Sequence, residues 1–475
     1  MGGDAACAAA VARAAGALNS HHRAMARSDT RGNPVSTESS QALDASERAL
    51  WRMMSFYGMP IEDLDVAIAA DPAWPLPRLM KAGFLLSLTE PSLLADARAL
   101  IAGVPESGAG SGNARERAHR TALVRLAAGD WAGAGDAWSS VLREHPRDAL
   151  ALQWAHLFDF YRGDLAQLAG RAAPLLAGWP SDDALHPYVI ALHAFGLEES
   201  GRYAEAEASG RRALAADARV PWAIHAVAHV MEMQGRHGEG LDWMAGRRTH
   251  WGARDASGGG PGPNGFAGHL AWHEALFALE TLAFDRALAL FDEYLDEEHI
   301  EITLHRVDAA ALLWRVVLVG GDVGDRWRAL VAGWQLDGSS AGHSLFNDAH
   351  ATMALVGAGD LPRAREWVAL SLAAAAHKGG WNGDVVRAIG APLLHGIVAF
   401  GGGDFDGATE RIASTRAALQ SFGGSHAQRD VVDQTLLAAA AQGRDKRLGR
   451  ALLAERKIAK PTTPLTAHWR DRLDR

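Results

Sequence analysis

The chain has 475 residues, 48% hydrophobic and 22% charged, which is enough to bury a substantial core and too apolar for a disordered or fibrous protein. A formal net charge of −9 excludes the basic face that nucleic-acid binders present, and a single cysteine, Cys7, excludes disulfide frameworks and multi-cysteine metal sites. The five lysines all lie outside apolar helical runs, which argues against Schiff-base chemistry.

Residues 1–31 are alanine-rich with scattered arginines and lack an apolar secretory core with a cleavage site. They read as a poorly ordered lead-in to a cytoplasmic protein. No run approaches the roughly 18 consecutive apolar residues of a membrane span, so no membrane contact is expected.

Residues 32–475 read as one continuous domain of helical repeats, clearest over 115–420. Gly129-Asp130-Trp131-Ala132-Gly133-Ala134 recurs as Gly201-Arg202-Tyr203-Ala204-Glu205-Ala206 and as Gly235-Arg236-His237-Gly238-Glu239-Gly240. More distant copies begin at Leu282, Gly359 and Gly403, with weaker ones at Gly163 and Gly321. A unit of about 34 residues, with a small-residue turn, an aromatic or apolar residue two later and a small residue five later, is the tetratricopeptide pattern. The fold class expected is all-α, a tetratricopeptide-like α-solenoid of antiparallel helix pairs curled around a concave groove. First helices of such pairs line the concave side.

On one such first helix stand His225, His229 and Glu232, at roughly 0°, 40° and −20° around the axis, so they share a stripe. The next first helix repeats this with His269, His273 and Glu280 at roughly 0°, 40° and 20°. The stripe should face the groove, with Trp222 and Trp272 beside it as candidate walls. Asp308, Asn347, Asp348 and His350 occupy comparable first-helix positions further along. Three loops rich in Gly and Ser, Ser257 to Gly265, Asp337 to Gly342 and Lys378 to Gly383, fall at one edge of the array as lids or plain insertions.

Several segments carry a family resemblance. Gly32-Asn33-Pro34-Val35-Ser36-Thr37, the His225 to Arg236 segment, the His269 to His273 helix, Asp308 to Arg315, Leu345 to His350, Gly423 to Asp430, and Glu455-Arg456 followed by Lys460-Pro461 resemble the tetratricopeptide repeat protein 38 family. The resemblance covers most of the chain from about residue 32 and implies an α-helical solenoid; it implies no reaction.

Gln428-Arg429-Asp430 opens an otherwise apolar helix, where a charged pair is costly unless it is paired or meets an anion. If the last units curl back onto the middle ones, Arg429 reaches the histidines and clamps a substrate carboxylate. The alternative is an internal ion pair of Arg429 with Asp348 or Asp430. His225, His229, His269 and His273 are the candidate catalytic residues, as ligands of a divalent metal (Zn, Fe or Mn) or as metal-free acids and bases. The HExxH arrangement of metalloproteases is absent, because Phe277 stands where its second histidine belongs.

Two functions are carried forward. One is an enzyme of hydrolytic or acid–base type acting on a small carboxylate-bearing molecule. Its ligand-binding residues would be Trp222, Glu232, Trp272, Asp308, Asn347, Asp348, His350, Gln428, Arg429 and Asp430. The other is a non-catalytic tetratricopeptide scaffold holding a peptide or protein in the groove. A homodimer is left open as an assembly.

Overall fold

The glycine that opens each repeat has a mechanical task. Gly129, Gly163, Gly201, Gly235, Gly359 and Gly403 all take positive φ, ending one helix in the left-handed conformation that disfavours any Cβ. The residue after four of them caps the following helix. Asp130, Asp164, Asp360 and Asp404 each accept a backbone N–H three residues on, at 2.9–3.1 Å. Leu282 adopts the same left-handed φ of 58° in the copy that lacks a glycine.

In the computed structural model, which describes residues 27–252, 264–297, 299–300, 302–460 and 463–475, the helices pack as eleven antiparallel pairs, seven of them joined by these turns. The first pairs are α1 (Ser40–Ser55) with α2 (Ile61–Ala70), α3 (Leu76–Ser87) with α4 (Leu94–Ala102), and α5 (Ala114–Ala127) with α6 (Trp131–Glu144). Then come α7 (Ala149–Tyr161) with α8 (Leu165–Gly170), α9 (His186–Glu199) with α10 (Tyr203–Ala216), and α11 (Pro221–Met233) with α12 (His237–Ala245). The chain continues through α13 (Ala267–Glu280) and α14 (Phe284–Tyr294), α15 (Thr303–Leu318) and α16 (Arg326–Gly333), and α17 (Leu345–Gly357) and α18 (Leu361–Ala376). It finishes with α19 (Ala391–Gly401) and α20 (Phe405–Ala413), α21 (His426–Gln442) and α22 (Arg447–Ala459), and a closing helix α23 (Pro464–Asp474). The described residues form no strand, only two isolated bridges.

The fold is therefore an all-α helical repeat. Its buried core runs in two stretches, Val35 to Ala226 and Ile224 to Leu473, which meet on α11. The lead-in boundary falls earlier than residue 31, because Arg31 is buried and paired with Glu47 at 2.7 Å. The rest of the lead-in, and most of the Ser257 to Gly265 loop, lie outside the described residues. One helical stretch, Gly380–Gly401, is long and apolar enough to cross a membrane, and about half of its 18-residue apolar window is buried; its later part, α19, packs on α17, α18 and α20.

The array curls until it touches itself. Trp131 stacks on Trp381 with centroids 4.7 Å apart, and the Trp381 backbone N–H donates to the Gly129 carbonyl at 3.1 Å. Gln420 donates to the Gly163 carbonyl at 2.9 Å, Asn347 to the Thr89 hydroxyl at 3.3 Å, and the Thr303 N–H to Glu90. The expected Lys378 to Gly383 loop is thus partly a short helix, Gly380–Val385, that forms half of this clasp. α21 lies across the inner faces of α11 and α15, so the concave groove is closed by the chain's own last units. A cavity of only about 40 Å³ remains near the clasp, between Phe160, Leu304, Phe346 and Gln428.

Backbones meet at that seam with no room for a side chain. At Gly423, with φ of 87°, a Cβ would lie 2.2 Å from the Tyr161 carbonyl oxygen. Gly423→Ala is expected to lower the urea unfolding midpoint by the equivalent of about 1–3 kcal/mol and to expose the seam to limited proteolysis. An unchanged midpoint and digestion pattern would show the seam to be incidental.

Candidate four-histidine centre

α11 and α13 are first helices of neighbouring pairs, so their inner faces lie side by side. Pro221 opens α11 at a position where its missing N–H is not needed, and the one-turn spacing of His225 and His229 puts both on its inner face. The same one-turn spacing on α13 points His269 and His273 at them. One nitrogen from each of the four rings lies within 4.8 Å of the other three. His229 Nε2 is 2.9 Å from His225 Nε2, which is 3.1 Å from His269 Nε2. Three of the rings are buried, and the His269 side chain keeps 13% exposure.

Acids stand behind three of the rings. His269 Nδ1 donates to Asp308 of α15 at 2.7 Å, and His273 Nδ1 to Glu232 of α11 at 3.3 Å. His229 Nδ1 lies 3.4 Å from Glu198 of α9. A carboxylate at Nδ1 fixes the tautomer and turns the Nε2 lone pair inward, the arrangement that supports metal-bound histidine. Burial first, and then the neighbouring histidines, hold His225, His229 and His273 well below the usual imidazole range, so these rings are neutral.

Neutral rings at these distances conflict. His225 Nε2 offers either one proton or one lone pair yet touches two other nitrogens, so at most one of the two contacts is a well-directed hydrogen bond. His273 Nε2 is buried with no hydrogen-bond partner. A cation at the centre removes both problems. Metal–nitrogen bonds of about 2.0–2.1 Å place tetrahedral ligands about 3.3 Å apart, close to the contacts seen. Aromatic rings keep the place dry: Phe195 and Trp222 each lie 5.2 Å from His225, Phe266 lies 4.9 Å from His269, and Trp272 stacks on His269 at 5.4 Å.

A cleft of about 350 Å³ opens on the far side of Glu232, lined by Arg416, His426, Arg429, Asp430, Arg456 and Lys460 among others. Its cations are paired within the protein. Lys460 meets Glu280 at 3.4 Å and Glu232 at 3.6 Å, Arg456 meets Asp430 at 2.6 Å and Glu280 at 2.9 Å, and Arg416 meets Glu455 at 2.6 Å. Burial acts to raise the Asp430 carboxyl, but Arg456 and Lys460 outweigh it and hold that group below the carboxylate range.

Of the residues expected at the site, Trp222, Glu232, Trp272 and Asp308 surround the four histidines. The others are engaged elsewhere. Asn347 ties the seam, His350 Nδ1 donates to the Phe346 carbonyl of its own helix at 2.7 Å, and Gln428 exchanges capping bonds with Ser425. Asp348 accepts from the Gly342 N–H at 3.2 Å, and burial pushes its carboxyl up to about 7. Arg429 pairs with neither Asp348 nor Asp430, the two internal partners expected of it. It reaches α9 instead, where it meets Glu199 at 3.2 Å, with the Gly424 carbonyl as second acceptor.

Glu198, Glu199 and Lys460 complete the surroundings of the cluster and were not expected. Glu198 had a legible signal, since it stands three residues before Gly201 as Glu232 stands three before Gly235.

No family model matches the chain. Among solved structures, the crystal structure of yeast Tom70 aligns with 91% of this chain and 86% of its own, at 13% identity and a TM-score of 0.36. So slight a likeness carries no argument here; the helical repeat stands on the helix pairs described above, and the tetratricopeptide repeat protein 38 resemblance stands on its motifs alone.

Buried imidazoles away from the centre set an acid limit. Burial lowers His156 to about 3 and His350 to about 4, below the roughly 6.5 of an unfolded chain. The unfolded state therefore binds more protons in this window, and stability falls as pH drops from about 6.5 towards 4, on the order of 3 kcal/mol or more per residue. Urea midpoints measured across that range should decline, and His156→Leu should flatten the slope. A pH-independent midpoint would contradict the burial argument.

Proposed function

We propose that the protein is a helical-repeat binding protein built around one divalent transition-metal ion held by His225, His229, His269 and His273. The observation that supports this reading is the convergence of imidazole nitrogens whose outer nitrogens are held by Asp308 and Glu232. An all-imidazole donor set suits Zn or Fe better than Mn, which prefers oxygen. Four protein ligands fill a tetrahedral ion, and sites so closed are structural, whereas catalytic zinc keeps a position open. In this reading the ion pins α11 to α13. The ligand surface is the cleft of about 350 Å³ beside Glu232, sized for a small carboxylate-bearing molecule or a chain end and lined by guanidinium and carboxylate groups. The motif resemblance to the tetratricopeptide repeat protein 38 family belongs with this reading.

One observation favours a second reading, a metal-assisted hydrolase. His269 is the incompletely buried ring, so an ion of higher coordination number has an approachable side there. Such an ion would act as Lewis acid and lower the pKa of bound water.

Metal analysis and native mass spectrometry of protein purified without chelator should find at least one ion per chain. His225→Ala and His273→Ala should each abolish the four-histidine ion and lower the melting temperature. Chelation that lowers the melting temperature supports the binding reading; chelation that leaves it unchanged while abolishing turnover of small esters or peptides supports the hydrolase. A wild-type chain that stays metal-free after exposure to zinc sinks both.

A further inference from the structure

Buried donor groups continue behind His229. Its Nδ1 has no hydrogen-bond partner and lies 3.4 Å from Glu198 Oε2. The Glu198 side chain is 0% exposed and neither of its oxygens has a partner; Glu199, next in sequence, is 1% exposed. One donor atom from each of Glu198, Glu199 and His229 lies within 4.8 Å of the other two. Both glutamates occupy the last turn of α9, where the helix dipole opposes negative charge, and Glu232 adds a third carboxylate nearby. A buried carboxyl group facing a ring nitrogen needs either a proton or a cation between them, and three carboxyl groups close together give a cation more donors than a proton can use.

Glu199 is held in place for such a role. Its Oε1 accepts the His426 backbone N–H at 2.9 Å, and its Oε2 faces Arg429 at 3.2 Å and His426 Nδ1 at 3.4 Å. Those contacts anchor Glu199 from the cleft side and leave Glu198 uncommitted.

We propose a second divalent-cation site formed by Glu198, Glu199 and His229 Nδ1, adjoining the four-histidine ion and sharing the His229 ring with it. The bridging role rests on the four-histidine reading above. When both ions bind, each His229 nitrogen gives its lone pair to one of them. The single ring proton leaves to water as the second metal–nitrogen bond forms, so the bridge is an imidazolate. Three protein donors, two of them carboxylates, suit Zn or Mn and leave a coordination position open, unlike the closed four-imidazole ion. His426 and Arg429 line the cleft and contact Glu199, so this open site is the one next to the cleft, and an oxygen ligand such as water or a carboxylate is what it would take.

The test loads the full chain with Zn(II) or Cu(II) alone. Native mass spectrometry should show two ions on the wild type and one on Glu198→Gln, which keeps the side-chain shape and removes the charge. Glu199→Gln should lose the same ion. In the copper form, coupling across the imidazolate should suppress the electron paramagnetic resonance signal of the wild type, and Glu198→Gln should restore that of an isolated ion. Saturation at one uncoupled ion, identical in wild type and Glu198→Gln, overturns the second site and leaves the four-histidine ion standing. No uptake by the wild type overturns both.

Discussion

Four neutral imidazoles crowded to about 3 Å in a dry interior cannot satisfy all their inward nitrogens by hydrogen bonding to one another. This constraint governs the middle of the molecule. His225, His229, His269 and His273 are brought together by the side-by-side placement of α11 and α13, and burial disfavours the charged form of His225, His229 and His273. Water is kept away by Phe195, Trp222, Phe266 and Trp272. The acids at the outer nitrogens then give the cluster its direction, because a ring held at Nδ1 has only Nε2 left to offer.

That dryness depends on closure of the array. An open superhelix would leave the inner faces of its first helices wet, and histidines there would titrate near their ordinary value. The chain instead lays α21 across α11 and α15 and locks the ends through Trp131 on Trp381 and the contacts at Gly163 and Gly423. Arg429 of α21 and Arg456 of α22 are consumed in this assembly. Arg429 binds Glu199, and Arg456 binds Asp430 and Glu280, which turns a potential peptide groove into an enclosed centre with a small charged cleft at its flank.

Much of this was legible in the residues. The glycine-aspartate turns, spaced about 34 residues apart or more, specify helix pairs because glycine takes the left-handed turn at least cost and aspartate caps the next helix. His225 with His229, and His269 with His273, share helical stripes by arithmetic, and Asp308 and Glu232 fall at first-helix positions. Glu198 was legible only by analogy of register with Glu232. Asn347, His350 and Gln428 looked equivalent to the true cluster members because sequence gives the face of a helix and not the neighbour that the face meets. For Arg429 the internal partners considered were its chain neighbour Asp430 and Asp348 on α17, and the actual one lies 230 residues away on α9.

The sequence by itself determined the local mechanics: which segments are helices, where they reverse, and which side chains line each inner face, since these follow from backbone geometry and periodicity over a few residues. The tertiary structure alone decided that the array closes into a ring, that four of many inward polar residues converge on one point, and that Glu198 and Glu199 stand behind it. Those outcomes depend on the small rotations between successive helix pairs, which accumulate over eleven repeats and are set by the packing of buried side chains, a quantity no single segment encodes.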